Sequence, residues 1–338
     1  MTLRRGPSVW VRTATITVLV IPLIGTAQSR SAVSERTPTW KPPRMSDGKP
    51  DLQGNWSNAT ITPFQRPPEL ADKAFFSREE AVAYQRQRLE TLDVDRPGGP
   101  RDLERSAYNS LFAEPGTVVK TLRTSLIIDP PDGRIPPFTE DARRRHERLR
   151  AASASHPADS PEDRWLTERC ILFGGGGPPM LPEPYSSNYQ VVQSPGYVAI
   201  RTELNHEIRI IPTDNRAHPQ QQLRQWTGYS TGHWDGDTLV IETTNFKDNG
   251  QSRFGVSWLD GMTDPNLRIV ERLTLTDAET ILYQALIDDP TVFIRPWTVE
   301  IPFHRLRAPL FEYACHEGNH GLAFILSGAR ADETRVRQ

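Results

Sequence analysis

The sequence lacks an excess of charge of either sign. Its 338 residues contain 40 lysines and arginines against 42 aspartates and glutamates, a formal net charge of −2. Domains that bind nucleic acid or anionic membranes usually carry a clear basic excess. We therefore expect no nucleic-acid partner, and 36% apolar with 24% charged residues is typical of a globular protein.

Long apolar runs are also scarce, and the prominent one is Thr13–Gly25, near the N-terminus. Arginines precede it and small residues follow near Ala27, which is the order of a secretory signal peptide. The run is short for a membrane span and contains a proline, so we expect residues 1–27 to be removed rather than kept as an anchor. The mature protein is then predicted to be periplasmic or extracellular, without stable membrane insertion, and both Sec and twin-arginine export stay open.

Cysteine is nearly absent, with Cys170 and Cys315 as the two in the chain. An exported protein folds in an oxidising compartment, where two cysteines pair more often than they stay free. We therefore predict a Cys170–Cys315 disulfide that connects two distant segments of the chain.

Proline, in contrast, is abundant, with 30 residues against 22 glycines. Because proline ends helices and cannot donate into a sheet, many connections are expected to be irregular. Residues 28–50 are expected to form an extended, proline-rich lead, and residues 51–162 a first strand with helical and irregular additions. This region is predicted to be continuous with residues 163–338, as one domain.

Two helices and one strand are predicted before residue 162. Ser77 and Glu80 form a capping box, which predicts a helix that runs to about Leu92. A strand is expected to run into the Pro-Asp-Gly turn of residues 124–137. The second helix is expected over residues 139–152, with a very basic and solvated surface.

The second half of the chain has a β pattern. Seven strand-like runs separated by turn residues lie between residue 188 and residue 304. Their spacing predicts an antiparallel meander that closes, or nearly closes, into a barrel or a curved sheet. A short C-terminal helix is expected to cap the sheet or pack on it, so the fold class is mainly β, or α+β overall.

Glu271 interrupts an apolar strand face. In the run LRIVERLTLT, the residues Leu267, Ile269, Leu273 and Leu275 alternate onto the same face as Glu271. A carboxylate on an apolar face is costly unless it is paired or bound to a ligand, and burial raises its pKa, as a general acid or base requires. We therefore predict Glu271 as a catalytic carboxylate; the alternative is that Arg268 and Arg272 point inward instead.

Polar side chains around one strand and six of the eight histidines add further candidates. The candidate catalytic residues beside Glu271 are His206, His233, His316 and Glu317. The candidate substrate-binding residues are Arg209, Asp214, Arg216, His218, Tyr229 and Trp234. Because imidazole and carboxylate ligands suit several divalent metals, a metal ion is a candidate cofactor, with His206, His233 and His316 as its candidate ligands. The alternative is a solvated hairpin edge without a ligand.

Two motifs resemble those of known enzymes without their context. His316-Glu317-Gly318-Asn319-His320 has the H-E-x-x-H pattern of zinc proteases, which requires a continuous helix. Gly318 and Asn319 disfavour that helix, and we expect it to begin near Asn319. The G-x-S-x-G pattern at Gly228–Gly232 is expected to run into a turn and a strand, whereas a serine esterase needs a helix after the serine. The glycine run of residues 174–177 is followed by prolines, so it is expected to be a pliable loop rather than a phosphate cradle.

Several blocks of the sequence resemble a large paralogous family of uncharacterised secreted bacterial proteins. The most specific are WDGDTLVIETTNF at residues 234–246 and YACHEGN at residues 313–319. Tyrosine often stands at the position of His320 in that family, which implies that His320 is not an obligatory ligand. Gly54-Asn55-Trp56 and Gly232-His233-Trp234 are similar to the G-x-W element of lipocalin barrels, a likeness that implies a ligand-holding barrel at the level of the fold.

Two classes of function follow from these observations. The first is an exported enzyme that acts on a small organic or saccharide ligand by acid–base chemistry, as a lyase, isomerase or hydrolase. The second is a lipocalin-like periplasmic protein that binds such a ligand without turnover. A metalloprotease and a serine esterase are minor alternatives, and an enzyme would bring Glu271 and the candidate histidines to one cavity.

Overall fold

The computed structural model describes residues 40–93, 114–219, 223–247 and 266–336. The predicted signal peptide and most of the proline-rich lead lie outside the described residues. The described residues belong to one compact unit that begins at Trp40. Strand pairing crosses the predicted boundary at residue 162, because the strand Gly54–Ser57 lies between two strands of the second region.

Three helices and ten strands make up the described secondary structure. The helices are α1 (Arg78–Leu92), α2 (Glu140–Ser155) and α3 (Gly321–Val336). The strands are β1 (Gly54–Ser57), β2 (Ile127–Asp129), β3 (Asn188–Ser194), β4 (Tyr197–Thr202), β5 (Ile208–Pro212), β6 (Tyr229–Asp235), β7 (Thr238–Thr244), β8 (Arg268–Asp277), β9 (Thr280–Asp288) and β10 (Trp297–Leu306).

The strands form one antiparallel sheet whose spatial order follows the chain. The hydrogen-bonded order is β5-β4-β3-β1-β10-β9-β8-β7-β6, and β2 is added beside β10. Strand β10 pairs with β1 and so joins the later strands to the earlier ones in one curved sheet. The sheet is not closed, because its edge strands β5 and β6 are not hydrogen-bonded to each other. These two edges still touch: a Cβ on Gly232 of β6 would lie 3.0 Å from Cγ2 of Ile211 on β5. The predicted meander is confirmed as an open barrel.

Alternation along the strands fills the inside of the open barrel. Each long strand buries every second residue, as in β8, where Ile269, Leu273 and Leu275 face inward. Aromatic rings fill the centre, and Phe303 packs against both Tyr189 and Tyr283 with ring centroids 5.3 and 5.0 Å away.

The first two helices begin where the sequence predicts. Ser77 and Glu80 form the capping box before α1, and Thr139 accepts a hydrogen bond from the backbone of Ala142 to start α2. Because each side chain satisfies a backbone N–H that the first helical turn leaves without a partner, it fixes where the helix begins. The strand predicted before the Pro-Asp-Gly turn is β2.

Strand β6 departs from the sequence prediction. The G-x-S-x-G pattern at Gly228–Gly232 is predicted to run into a turn and then a strand, but β6 pairs with β7 along seven residue pairs from Tyr229 to Asp235. The turn is limited to Gly236 and Asp237, where Gly236 has a positive φ of 59°. Gly232 and Asp235 in β6 weaken the strand signal, and pairing with β7 stabilises the strand.

The C-terminal helix is present, and the predicted disulfide is confirmed. Cys170 and Cys315 are bonded with their Cα atoms 5.7 Å apart. No residue of α3 whose exposure is described is buried. Arg330 in α3 donates to the carbonyl oxygens of Ala158 and Asp159, just after α2. The predicted C-terminal helix is therefore present, and its described side chains stay exposed or half-buried.

Candidate functional site

Glu271 points into the barrel as the alternation predicts, and it is fully buried. Its partner is Arg209, which faces inward from β5 and is 4% exposed. Arg209 Nη1 donates to Glu271 Oε1 at 3.1 Å, and Nη2 donates to Oε2. The hydroxyl of Tyr283 donates to Oε1 at 2.8 Å. The carboxylate thus has a bidentate arginine and a phenol as partners, an arrangement that compensates for its burial.

The buried carboxylate shifts the pKa values of its two partners, Arg209 and Tyr283. Burial alone would lower the pKa of Arg209, but the attraction and hydrogen bonds of Glu271 outweigh burial, and the pKa is raised. Burial and the nearby charge of Glu271 raise the pKa of Tyr283 well above its usual value. Arg209 therefore stays protonated and Tyr283 stays neutral, so both remain hydrogen-bond donors to Glu271.

The glycine-proline segment (residues 174–183) closes off this pair from one end of the barrel. Tyr283 OH accepts a hydrogen bond from Met180 N at 2.9 Å, and Asn58 Nδ2 donates to Met180 O at 3.1 Å. Tyr189 OH donates to Gly175 O at 2.8 Å. The side chain of Met180 is 1% exposed. The segment therefore contacts both Tyr283, the phenol that donates to Glu271, and Tyr189.

Glycine is needed in this segment at position 177. Gly177 has a φ of +66°, and a Cβ there would lie 2.9 Å from Cγ of Met180 and 3.4 Å from Nη1 of Arg209. A side chain would therefore collide with the segment and crowd the buried arginine. The glycine run is explained by this close approach of backbone to side chains, as expected for a pliable loop.

The predicted catalytic histidines are separated from Glu271 and from one another. His206 follows β4 at the end of the barrel that carries the disulfide, and its Nδ1 lies 3.3 Å from the carbonyl oxygen of Tyr313. His316 and Glu317 are exposed in a turn of the same end. His233 is exposed near the opposite end, on the outer face of β6. The four side chains predicted to converge on one cavity are those of Glu271, His206, His233 and His316. They point to three different places: the barrel interior, the end with the disulfide, and the outer face of β6.

Metal binding finds no geometric support in the described ranges. Within them, no cluster of three or more histidine, cysteine, aspartate or glutamate side chains could hold an ion. His316 and His320 precede α3 instead of sharing a helix, so the H-E-x-x-H pattern lacks the geometry of a zinc protease. Ser230 of the G-x-S-x-G pattern is buried in β6, where its hydroxyl lies 2.8 Å from Thr243 Oγ1.

His218 and Tyr229 meet on the outer face of the sheet. Nε2 of His218 lies 2.7 Å from the hydroxyl of Thr231, and its Nδ1 lies 3.2 Å from the hydroxyl of Thr244. The His218 ring stands edge-on to Tyr229, with centroids 5.9 Å apart. Both ring nitrogens are engaged with threonines, so these residues fasten the segment after β5 onto β6 and β7.

Four of the predicted residues do gather at the barrel end opposite the disulfide. Trp234 and His233 lie at the end of β6, and Asp214 and Arg216 follow β5. A cleft of about 350 Å³ opens here, which we call the rim cleft. Its lining residues are Asp47, Lys49, Gly196, Thr213, Asn215, His233 and Trp234. It is the part of the described surface where predicted binding residues adjoin a space of small-molecule size.

Trp234 forms the floor of the rim cleft. Its position in β6 places it on the inward face, where it packs against the main core while remaining half-buried. A second, small cavity of about 10 Å³ has Trp234, Tyr197 and Met45 among its lining residues. An indole ring held by the core on one side and open on the other offers a flat apolar surface at low cost in side-chain entropy.

Asp47 and Lys49 were missed by the sequence reasoning. They belong to a tight turn in the predicted lead, where Met45 N donates to Lys49 O at 2.8 Å and Gly48 has a φ of +79°. Arg44 joins this turn to Asp237 of the β6–β7 turn by a 2.8 Å ion pair. The Ser-Asp-Gly run was a turn signal that sequence analysis could have used, although its place above the barrel end could not be read from it.

Asp214 and Arg216 form a pair beside the cleft instead of a substrate clamp. Two nitrogens of Arg216 donate to the Asp214 carboxylate, and Nη2 also donates to Tyr197 OH at 2.8 Å. Hydrogen bonding from Arg216 lowers the pKa of Asp214 to about 2. The guanidinium lies 5.2 Å from the centre of the Tyr197 ring, so this pair holds one wall of the small cavity beside Trp234.

The opposite end of the barrel carries a second polar group, Glu183. It is half-buried at the end of the glycine-proline segment, and a Cβ on Gly175 would lie 2.6 Å from its Cγ. Burial raises the pKa of Glu183 to about 7, while a backbone hydrogen bond from Gly175 opposes the increase. The ring of Tyr313 packs against Phe173 and Tyr185, with ring centroids 5.5 and 6.4 Å away.

The comparisons with known proteins add no family or function to these observations. The chain matches no protein-family model, no curated protein and no solved structure. The resemblance to a family of secreted bacterial proteins thus stays a prediction. No helix in the described ranges is long and apolar enough to cross a membrane.

Proposed function

We propose that this protein binds a small polar organic molecule of the saccharide class in the rim cleft. The cleft itself carries the proposal, because its volume of about 350 Å³ lies within the range of small-molecule sites. The indole ring of Trp234 forms its floor. The other lining residues include Asp47 with a carboxylate, Lys49 with an ammonium group, Asn215 with an amide and Thr213 with a hydroxyl. A ring with apolar faces and polar edges matches this combination.

The geometry favours the binding class over the acid–base enzyme. The carboxylate of Glu271 accepts hydrogen bonds from Arg209 and Tyr283, and the glycine-proline segment covers it from one end. A general acid or base must come within hydrogen-bonding distance of its substrate. Glu271 therefore acts in this proposal as a structural residue, and ligand binding needs no contribution from it.

Export completes the proposal. The disulfide between Cys170 and Cys315 supports an oxidising compartment, where a binding protein would meet small molecules from outside the cell. The N-terminal apolar run supplies the predicted targeting signal. N-terminal sequencing of the protein recovered from a periplasmic or secreted fraction would test cleavage near Ala27.

Ligand binding is tested by a screen of purified protein against neutral sugars, sugar acids and amino acids. Saturation-transfer NMR would detect binding, and isothermal titration calorimetry would give the affinity. Trp234→Leu is expected to weaken binding by at least about tenfold, a loss of about 1.4 kcal/mol of binding free energy. Trp165→Leu is the matched control, because Trp165 is 41% exposed and lies outside the cleft lining.

A second variant guards against a loss of folding. Asn215 has a φ of +59°, so Asn215→Gly removes the amide and keeps a residue that favours this conformation. We expect Asn215→Gly to weaken binding without changing the thermal unfolding midpoint by more than a few degrees. The proposal fails if no member of the panel binds, or if Trp165→Leu and Trp234→Leu lose the same affinity.

A further inference from the structure

The charged side chains around the rim cleft are mostly neutralised in pairs. Asp214 pairs with Arg216, and Asp237 pairs with Arg44 at 2.8 Å. Farther along the rim, Asp235 of β6 pairs with Arg272 of β8 at 2.9 Å. Because each of these acidic groups already has a cation, none of the three is available to attract a cationic ligand.

Two cationic or ionisable groups of the cleft lining stand outside these pairs. The structure records no ion pair for Lys49 or His233 with any carboxylate in the described ranges, although both line the cleft. The one carboxylate of the lining, Asp47, accepts a hydrogen bond from the backbone N–H of Lys49 at 3.1 Å. The cleft lining therefore offers the side-chain nitrogens of Lys49 and His233, which form no ion pair in the described ranges, next to the Asp47 carboxylate.

Lys49 is held in place by its backbone even though its side chain is long. The Arg44–Asp237 pair, the Met45–Lys49 backbone hydrogen bond and the bridge from Arg44 to Pro50 fix the turn above the end of β6. His233 is anchored in the ladder between β6 and β7, opposite Val240. Both donors thus start from ordered backbone, which lowers the entropy cost of binding an anionic group between them.

We infer that the rim cleft is selective for acidic monosaccharides, with the ligand carboxylate bound by Lys49 and His233 and the sugar ring on Trp234. The inference rests on the proposed function, since it names the ligand class of the same cleft. The Asp47 carboxylate then accepts a hydrogen bond from one sugar hydroxyl, and the Asn215 amide donates a hydrogen bond to another. An ammonium group beside a carboxylate forms a charge-assisted hydrogen bond, which is stronger than a hydrogen bond to the hydroxymethyl group of a neutral hexose.

The experiment compares two ligands that differ at one carbon. Glucose and glucuronate, and likewise galactose and galacturonate, differ in a hydroxymethyl group against a carboxylate at C6. We expect a uronate to bind at least about tenfold more tightly than its neutral partner in calorimetry at low salt, and the ratio to fall at high salt because the attraction is screened. Acetate and lactate serve as carboxylates without a sugar ring.

Variants assign the selectivity to the two donors. Lys49→Gln and His233→Gln are each expected to bring the uronate-to-hexose affinity ratio down by at least about threefold, and the double variant to bring it close to one. Lys41→Gln and His320→Gln are the matched controls, because they make the same changes at exposed positions outside the cleft. Neither control should change the ratio.

The outcomes separate this inference from the proposed function. Equal binding of uronates and hexoses overturns the inference and leaves saccharide binding in place, as does a ratio that Lys49→Gln and His233→Gln leave unchanged. Binding of acetate or lactate as tight as that of the uronates overturns the sugar assignment. If neither hexoses nor uronates bind, both the inference and the saccharide proposal fail.

Discussion

Replacement of Glu271 by glutamine should destabilise the protein without removing a catalytic group. The change keeps the shape of the side chain but removes its charge, so the guanidinium of Arg209 stays buried with the hydroxyl of Ser230 at 3.4 Å as a remaining partner. Breaking a buried ion pair on one side costs about 3–5 kcal/mol in other proteins, because the surviving charge is uncompensated. This is a large part of the stability of a typical domain, about 5–15 kcal/mol.

The adjacent strand offers a matched control. Glu242 of β7 pairs with Arg268 at 2.6 Å, and both side chains are about 40% exposed. Glu242→Gln removes the same kind of charge from the same kind of pair on the outer face of the sheet. Solvent screens this pair, so we expect a cost of about 1 kcal/mol or less.

Equilibrium unfolding in urea measures both variants. Tryptophan fluorescence and far-ultraviolet circular dichroism, recorded without a reductant, would give the free energy of unfolding of each protein. Arg209→Leu combined with Glu271→Leu should be more stable than Glu271→Gln, because the double change leaves no charge inside the barrel. A cost of Glu271→Gln as small as that of Glu242→Gln would refute the view that this ion pair is fully buried.

Two further predictions concern the end of the barrel with the disulfide. The pKa of Glu183 is about 7 in the folded protein against 4.5 ordinarily. The folded state therefore binds more protons, and the free energy of unfolding should fall by about 1–3 kcal/mol as pH rises from 4.5 to 7. Glu183→Gln should flatten that slope in urea titrations at pH 5 and 7.5, and an unchanged slope would contradict the burial of this carboxyl. The disulfide closes a separation of 145 residues, so Cys170→Ser with Cys315→Ser should cost about 3–5 kcal/mol. A loss below about 1 kcal/mol in the same assay would show that other contacts hold the two segments together.

Local signals in the sequence were sufficient for the elements that depend on near neighbours. The capping box of Ser77 and Glu80 fixes the start of α1 within the chain itself, as Thr139 does for α2. Alternation placed Glu271 on the inward face, because the side-chain period of a strand is a local property. Glycine and asparagine at positions 318 and 319 predicted correctly that no helix joins His316 to His320.

The sequence prediction failed where a distant partner decides the structure. The weak strand β6 is ordered by pairing with β7 and by contact with β5, as at Gly232 and Ile211. The role of Glu271 depends on Arg209, which lies 62 residues away in the chain. No local pattern indicates that Arg209 would pair with a carboxylate inside the barrel instead of holding an anionic ligand.

The residues of the rim cleft also divide into those that local sequence signals found and those that they missed. His233 was found as one of six histidines concentrated in the second half of the chain, and Trp234 stands in the G-x-W element. Asp47 and Lys49, in contrast, lie in a segment expected to be an extended lead. The Arg44–Asp237 pair brings that segment to the rim, and the two residues are 193 positions apart by their numbers. A long-range ion pair leaves no periodic or compositional signal in either segment.

The sequence by itself determined the antiparallel β architecture, the starts of the first two helices, the cysteine pair and the inward direction of Glu271. Each follows from side-chain periodicity, capping chemistry or the presence of two cysteines, which are properties of short segments or of composition. The tertiary structure decided that the glycine-proline segment packs on the buried tyrosines, that Arg209 neutralises Glu271, and that the cleft lies at the rim. Those outcomes depend on which distant side chains meet when the sheet curves, and packing settles that only when the whole chain has folded.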